Sequence, residues 1–424
     1  MKRNTLGLLA ATTVLLTSAP LALADESNTL VDAITSGKAG VNVRARYERV
    51  DQDNVAQKAD ALTARLRLNY RTGQWNGLSA FAEYDHVFHL LNDFNSGAGT
   101  SPGRGQYPVV ADPEGSDLNQ LYLDYQMNDD SKFRFGRQRI LLDNQRFVGG
   151  VGWRQNEQTY DALTFSTKTI AKTSLQYTYV ANVRRIFGER VDGGSDKTNH
   201  HLLNAKITLN DSWSIVPYYY LLDYDFDPSA LPIVAWDANE RRRALSSTGT
   251  FGVRAAGSVK VGEGKIALVA ELATQSDAGN NPVSYDADYA HVSAMWVAAN
   301  GLSLGIAYES LGTDSSNLQS FRTPLATAHA FQGWADKFLT TPAAGINDVY
   351  ATVKYKAGNW NLTGVYHDFS AETGSGDYGT EFDLSAGTKL TDNYGILFKG
   401  AFFSGEPDGI PDTNKFWIMF TANY

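Results

Sequence analysis

The stretch Asn414–Tyr424, NKFWIMFTANY, reads as a β-strand with one wholly apolar face. Phe416, Ile418, Phe420, Ala422 and Tyr424 recur at every second position, with Trp417, Met419, Thr421 and Asn423 between them. Strand side chains alternate between faces, so this spacing gathers the apolar set on one side, where it meets lipid or core. An edge strand of a soluble domain and the closing strand of a membrane barrel both show the pattern. The aromatic last residue favours the barrel, because the end of a soluble strand frays.

The other end of the chain points the same way. Lys2 and Arg3 precede an apolar run from Leu6 to Leu23, and Ala22-Leu23-Ala24 is a small-x-small cleavage site before Asp25. This is the form of a secretory signal peptide, expected over residues 1–24. Beyond it the chain is too polar for a helical membrane protein, with mean hydropathy −0.31, and no apolar run reaches the length of a spanning helix. Yet it carries 22 Tyr, 20 Phe, 8 Trp and 38 Gly with no Cys. Abundant aromatics and glycines without cysteine suit a barrel with aromatic girdles better than a disulfide-stapled exported domain. Net charge is −9, which argues against a nucleic-acid partner.

Alternating segments follow one another from Val41–Val50 and Ala61–Tyr70 to Gly395–Phe403 and Phe416–Tyr424, about eighteen in all. Their connections alternate without exception. Tight turns such as Gly73–Gly77, Asn128–Ser131 and Gly358–Asn359 separate longer pieces such as Leu91–Asp117, Leu141–Tyr160 and Ser310–Asn347. Short turns on one side and long loops on the other are the pattern of outer-membrane barrels. The expectation is therefore an all-β transmembrane antiparallel barrel over residues 41–424, behind a short periplasmic segment at 25–40, with both termini periplasmic. The C-terminal strand resembles the closing strands of such barrels, which implies that its final aromatic is read by the barrel-assembly machinery.

A charge on the lipid face near the midplane costs roughly 2–4 kcal/mol for Arg, so Arg44, Arg46, Arg65 and Arg67 must face the lumen. A hairpin centred near Asn54–Val55 is read as setting Arg44 beside Arg67 and Arg46 beside Arg65. Like charges opposed across strands destabilise, so the cluster calls for counter-charges or an anionic guest, with Glu83 and Asp85 the natural counter-charges. Further inward cations are Arg134, Lys206, Arg254, Lys260, Lys354, Lys356, Lys389 and Lys399, against Asp124, Glu271, Glu381 and Asp383. Two readings stand open: a lumen of mutually neutralising pairs, or a positive arc that draws anions through a pore.

The long loops carry the most distinctive words. Gly136-Arg137-Gln138, Leu142-Asp143-Asn144-Gln145-Arg146-Phe147-Val148-Gly149, Gly152-Trp153-Arg154-Gln155-Asn156 and Tyr160-Asp161-Ala162 form one block, and His329 to Leu339 a second. Both resemble the alginate export family of outer-membrane porins, and the similarity spans the mature chain. The resemblance implies an eighteen-stranded barrel whose arginine-rich lumen conducts a polyuronate and is narrowed by folded-in loops. It does not fix the cargo. Gly149, Gly150 and Gly152 permit tight folding inside a lumen, and Arg146 and Arg154 offer planar forks suited to carboxylates. Arg146 is read as a loop-holding residue paired with Asp143, Asp161 or Glu157, and Trp153 as part of the outer girdle rather than a sugar-stacking platform.

Catalysis has little support. Of the seven histidines, only His200-His201 and His367-Asp368 form suggestive pairs, and there is no nucleophile elbow or HExxH. The chain is read as a non-enzymatic channel without cofactor or metal, passing polar, anionic solutes such as uronate-type saccharides, with a general diffusion porin as the alternative. Its partners are then outer-membrane lipid, lipopolysaccharide and the assembly machinery. Tyr424→Ser removes the terminal lipid-facing aromatic and is expected to lower the yield of assembled barrel in the outer membrane. Normal yield with normal heat-modifiable gel mobility would contradict this.

Overall fold

The computed structural model describes residues 27–226, 237–314, 316, 319–406 and 409–424. The expected signal peptide, and the first two residues of the segment expected at 25–40, lie outside the described residues. Eighteen strands form one antiparallel sheet. In chain order they are β1 Lys38–Gln52, β2 Ala59–Arg71, β3 Leu78–Asp93, β4 Gly115–Asn128, β5 Ser131–Gln138, β6 Thr159–Thr167, β7 Thr173–Arg184, β8 Ser195–Asn210, β9 Trp213–Leu222, β10 Thr248–Val261, β11 Gly264–Asp277, β12 Asp286–Val297 and β13 Leu302–Leu311. A two-residue hairpin follows, β14 Thr313–Asp314 with β15 Gln319–Ser320. The barrel then resumes with β16 Ile346–Ala357, β17 Trp360–Ser370, β18 Asp377–Lys389, β19 Tyr394–Ser404 and β20 Thr413–Asn423.

Each barrel strand pairs with its neighbours in sequence, and β1 pairs with both β2 and β20, so the sheet closes on itself. Closure leaves no unpaired edge. In β20 the expected alternation holds: Phe416, Ile418 and Phe420 are exposed, whereas Trp417 and Met419 are buried against the lumen. The segment before the barrel is not all extended. Residues Leu30–Thr35 form a short helix, α1, capped by Thr29, whose hydroxyl accepts from Asp32 N–H, and β1 starts at Lys38. A second helix, α2 Ala238–Leu245, starts from a capping box made by Asp237 and Glu240.

A barrel of this strand number is too wide for wall side chains alone to fill. β5 and β6, with 8 and 9 residues, are the shortest barrel strands, so the loop joining them starts deep in the barrel. This loop and the β13–β16 connection fold inward and build a hydrophobic core within the lumen. Phe147 of the first loop lies 5.5 Å from the Tyr218 ring, 5.1 Å from Tyr289 and 5.8 Å from Phe321 of the second. Truncating a buried Phe to Ala costs roughly 3–5 kcal/mol. Phe147→Ala is therefore expected to leave the barrel folded, with normal heat-modifiable mobility, while protease cleavage within residues 139–158 rises at least several-fold. Unchanged resistance there would contradict the lumenal core.

Candidate functional site

The β5–β6 loop turns inside the barrel by adopting left-handed backbone at Asp143 (φ 50°), Gln145 (φ 65°) and Val151 (φ 50°). Gly149 is required by close approach: a Cβ there would stand 2.3 Å from the Thr327 hydroxyl of the second loop. Gly152 has open space around its Cβ position, so the tight folding expected of it rests on Gly149 and Gly150 instead. The two loops zip together at this point. Gly149 N–H donates to the Leu325 carbonyl at 2.8 Å, and Thr327 N–H donates to the Gln145 carbonyl at 3.0 Å.

An irregular segment carries its backbone groups into the lumen unpaired unless something receives them. The wall arginines receive the carbonyls. Arg44 donates to the carbonyls of Gly152 (2.9 Å) and Arg154, and to the Gln155 side chain (3.0 Å). Arg46 donates to the Trp153 carbonyl, and Arg65 to that of Gln155 at 3.1 Å. On the opposite side of the β1–β20 seam the wall acids receive N–H groups of the second loop: Glu381 accepts from Trp334 and Ala335 (2.7 Å), and Asp383 from Trp334 (3.2 Å).

Most other charge at this level of the lumen is paired. Arg67 forks onto Asp85 at 2.6 and 2.7 Å and reaches Glu157 at 2.7 Å. Glu83 accepts from Asn119 and Gln120 and faces Arg139 and Arg67. Arg46 meets Asp112, and Arg154 bridges Glu48 and Asp336, both at 3.1 Å. Burial opposes ionisation of Glu157, but the Arg139, Arg67 and Arg65 charges outweigh it and hold the carboxyl well below the usual range. Asp112 is likewise lowered: burial is overcome by Arg46, Arg154 and the Gln155 N–H.

An aromatic stack locks the centre. Trp153 lies flat on His329, with centroids 4.6 Å apart and planes 6° from parallel, and edge-on to Trp417 at 5.7 Å. The Lys399 ammonium sits 3.7 Å from the Trp334 ring and 4.4 Å from Trp153, and donates to His329 Nε2 at 2.7 Å. His329 Nδ1 meets Asp336 at 2.6 Å, which assigns it as the protonated nitrogen of a neutral ring. Burial pushes the His329 imidazolium down to about 3, against the pull of Asp336.

Several expectations change on these contacts. The register is Arg44 opposite Arg65, Arg46 opposite Thr63 and Asn42 opposite Arg67, two residues away from the expected pairing. A centre between Asn54 and Val55 itself demands this register, so the inward face is as expected while the partners differ. Trp153 is in the lumen and not in the outer girdle. Arg146 binds Glu309 at 2.7 Å and Gln332 at 3.0 Å, not Asp143, Asp161 or Glu157. Arg134 forks onto Asp124 at 2.7 and 2.8 Å, and Arg254 pairs with Glu271. Asp112, Asp336 and His329 are site residues that the sequence does not single out. All three lie in loops, where no periodicity reveals an inward side chain.

Residues 37–394 match the family model for alginate export. The chain belongs to the Alginate export family. OccAB2 of Acinetobacter baumannii superposes with TM-score 0.70 at 13% identity, covering 93% of this chain and 99% of that one. OccK9 (OpdG) and OccK8 (OprE) of Pseudomonas aeruginosa give 0.69 and 0.67 at 13% and 15% identity. Each covers 92% of this chain, and 100% and 99% of its own. At these identities the likeness is one of fold. A comparison with curated protein sequences finds no match. Family and fold make this Alginate export member an integral outer-membrane β-barrel of the channel type, set in lipid and lipopolysaccharide.

The neutral His329 generates a pH dependence. A released loop would protonate this imidazole below ~6.5, whereas the inserted loop resists until about 3. The inserted state binds fewer protons in that window. Its stability is therefore lost as pH falls, by ~1.4 kcal/mol per unit. Asp336, Lys399, Arg154 and Lys415 surround the ring, and the depressed carboxylates Asp336, Glu157 and Asp112 add losses only below the ordinary carboxylate range. Single-channel records are expected to grow noisier from pH 7.5 to pH 5, and His329→Gln to remove most of that change. Equal pH dependence in the variant would contradict the assignment.

Proposed function

We propose that this barrel is a passive channel for small anionic polar solutes, with uronate-type saccharides as the class suggested by the family match. The observation that carries the reading is the charge on the half of the lumen nearer the tight turns. There the inward strand positions hold Lys132, Lys206, Lys260, Lys354, Lys356 and Lys389, while Asp124 is the inward acid and is already shared by Arg134, Arg71 and Lys132. Unneutralised cations around a low-dielectric passage raise the local concentration of anions.

The tight turns are taken as the periplasmic side, with both termini there, residues 1–24 removed as a signal peptide and the C-terminal aromatic strand recognised by the assembly machinery. The channel does no covalent chemistry in this reading. One observation favours a general porin without saccharide preference: the charges at the constriction pair with one another, as the Arg67–Asp85 and Arg154–Glu48 contacts illustrate.

Reversal potentials of the purified protein in planar bilayers under a KCl gradient test the proposal. Wild type is expected to prefer anions, and the double variant Lys260→Gln, Lys389→Gln to reduce that preference. The difference should shrink between 0.1 M and 1 M salt, as the Debye length falls from ~10 Å to ~3 Å. A cation-selective wild type would overturn it.

A further inference from the structure

The segment before the barrel carries an apolar face that no described residue covers. Helix α1, Leu30–Thr35, reads LVDAIT. At the helical period Leu30, Val31 and Ile34 share one side, with Ala33 at its edge and Asp32 opposite. Ala33 is buried, whereas Leu30, Val31 and Ile34 are 53%, 66% and 50% exposed. The three largest apolar side chains of the helix thus point away from the protein.

A helix this short does not persist alone in water, and the barrel holds it by its end. The last carbonyls of a helix lack partners within it. Here Gly73 N–H donates to the Ala33 carbonyl at 2.7 Å, and the Tyr70 hydroxyl donates to that of Ile34. Ser27 N–H donates to the Gln74 carbonyl at 2.7 Å, so the chain entering α1 is tied to the same β2–β3 turn.

Tyr70 fixes the side of the wall on which this happens. Arg65 and Arg67 face the lumen, so alternation along β2 turns Leu66, Leu68 and Tyr70 outward. The Tyr70 side chain lies over Gly37, where a Cβ would stand 2.2 Å from its hydroxyl oxygen. The C-terminal end of α1 is therefore fastened to the outer side of the rim and not across the pore mouth. At this level the barrel exposes Leu68 on β2 and the directly opposed Leu78 and Tyr125 on β3 and β4. The apolar face of α1 continues that lipid-facing wall.

We propose that α1 is an interfacial anchor, with Leu30, Val31 and Ile34 in the acyl region of the leaflet at the tight-turn end and Asp32 towards headgroups and water. An amphipathic helix lying in the interface plane buries its apolar side in this way, and the outward Tyr70 suits the same boundary between lipid and water. The anchor holds the N-terminal segment against the bilayer beside the wall, whichever solute the channel passes.

The test is fluorescence quenching in phosphatidylcholine vesicles. The chain has no cysteine, so Val31→Cys, Ile34→Cys, Asp32→Cys and Leu68→Cys each carry a single nitrobenzoxadiazole label on the full barrel. Lipid bearing a nitroxide near the head of its acyl chain is one quencher, and iodide on both sides of the membrane is the other. Labels at Val31→Cys and Ile34→Cys are expected to be quenched by the nitroxide lipid as strongly as that at Leu68→Cys. Iodide should quench them several-fold less than the label at Asp32→Cys. Heat-modifiable mobility confirms that each variant is a folded barrel, and the two apolar positions report independently. Iodide quenching equal to that at Asp32→Cys, without lipid quenching, would place the face in water and overturn the anchor. Protection from iodide without lipid quenching would show that a second copy of the chain covers the face, and would overturn it equally. Neither result bears on the anion-channel reading.

Discussion

Bringing an irregular loop into a barrel lumen strands its carbonyl oxygens, and the donors that receive them here are guanidinium groups on the wall. Arg44, Arg46 and Arg65 on β1 and β2 cap the carbonyls of Gly152, Trp153, Arg154 and Gln155. Everything central to the lumen follows from that attachment. It fixes Trp153 against His329 and Trp417, presents Arg154 to Glu48 and Asp336, and sets Gly149 against Thr327, so the second loop is built on the first. The Arg44–Arg65 juxtaposition, repulsive on a bare sheet, is tolerable because dipoles and carboxylates of the loop stand where counter-ions would otherwise be needed.

Under the proposed anion-channel reading, this division of labour places transport elsewhere on the wall. Groups at mid-height are held by partners, as in Arg67 with Asp85 and Arg146 with Glu309. The half of the lumen nearer the tight turns carries lysines with little acid opposite, charge that the protein has not already satisfied. The proposed anion channel would separate structural charge from transport charge along its axis. Substitutions at mid-height should alter loop order first and selectivity second, with the reverse order at the lysines.

The barrel was legible in the sequence because its physics is periodic. Strand order, the inward face of β1 and β2, and the outward Phe416, Ile418 and Phe420 all follow from alternation and from the cost of charge in lipid. The inserted loops were legible only in part. Glycines and arginines near residue 150 marked a segment able to fold inward, but nothing local tells Trp153 to enter the lumen rather than the girdle. The partner of Arg146 is Glu309, on a strand 163 residues away, and only closure of the barrel brings the two together. Asp112 and Asp336 were missed for the same reason: a loop carboxylate has no face until the loop has a fold.

The most direct measure of the account is hydrogen–deuterium exchange of the folded wild-type barrel across residues 146–158. The inserted loop holds the amides of Gly149, Gln155 and Gln158 in hydrogen bonds to Leu325, Asp112 and Gly150. Peptides covering them should therefore be protected to nearly the degree of β6, and far more than the exposed stretch 103–107. Exchange across 146–158 as fast as in that exposed stretch would show that the arginines do not hold the loop in the lumen, and would contradict the account.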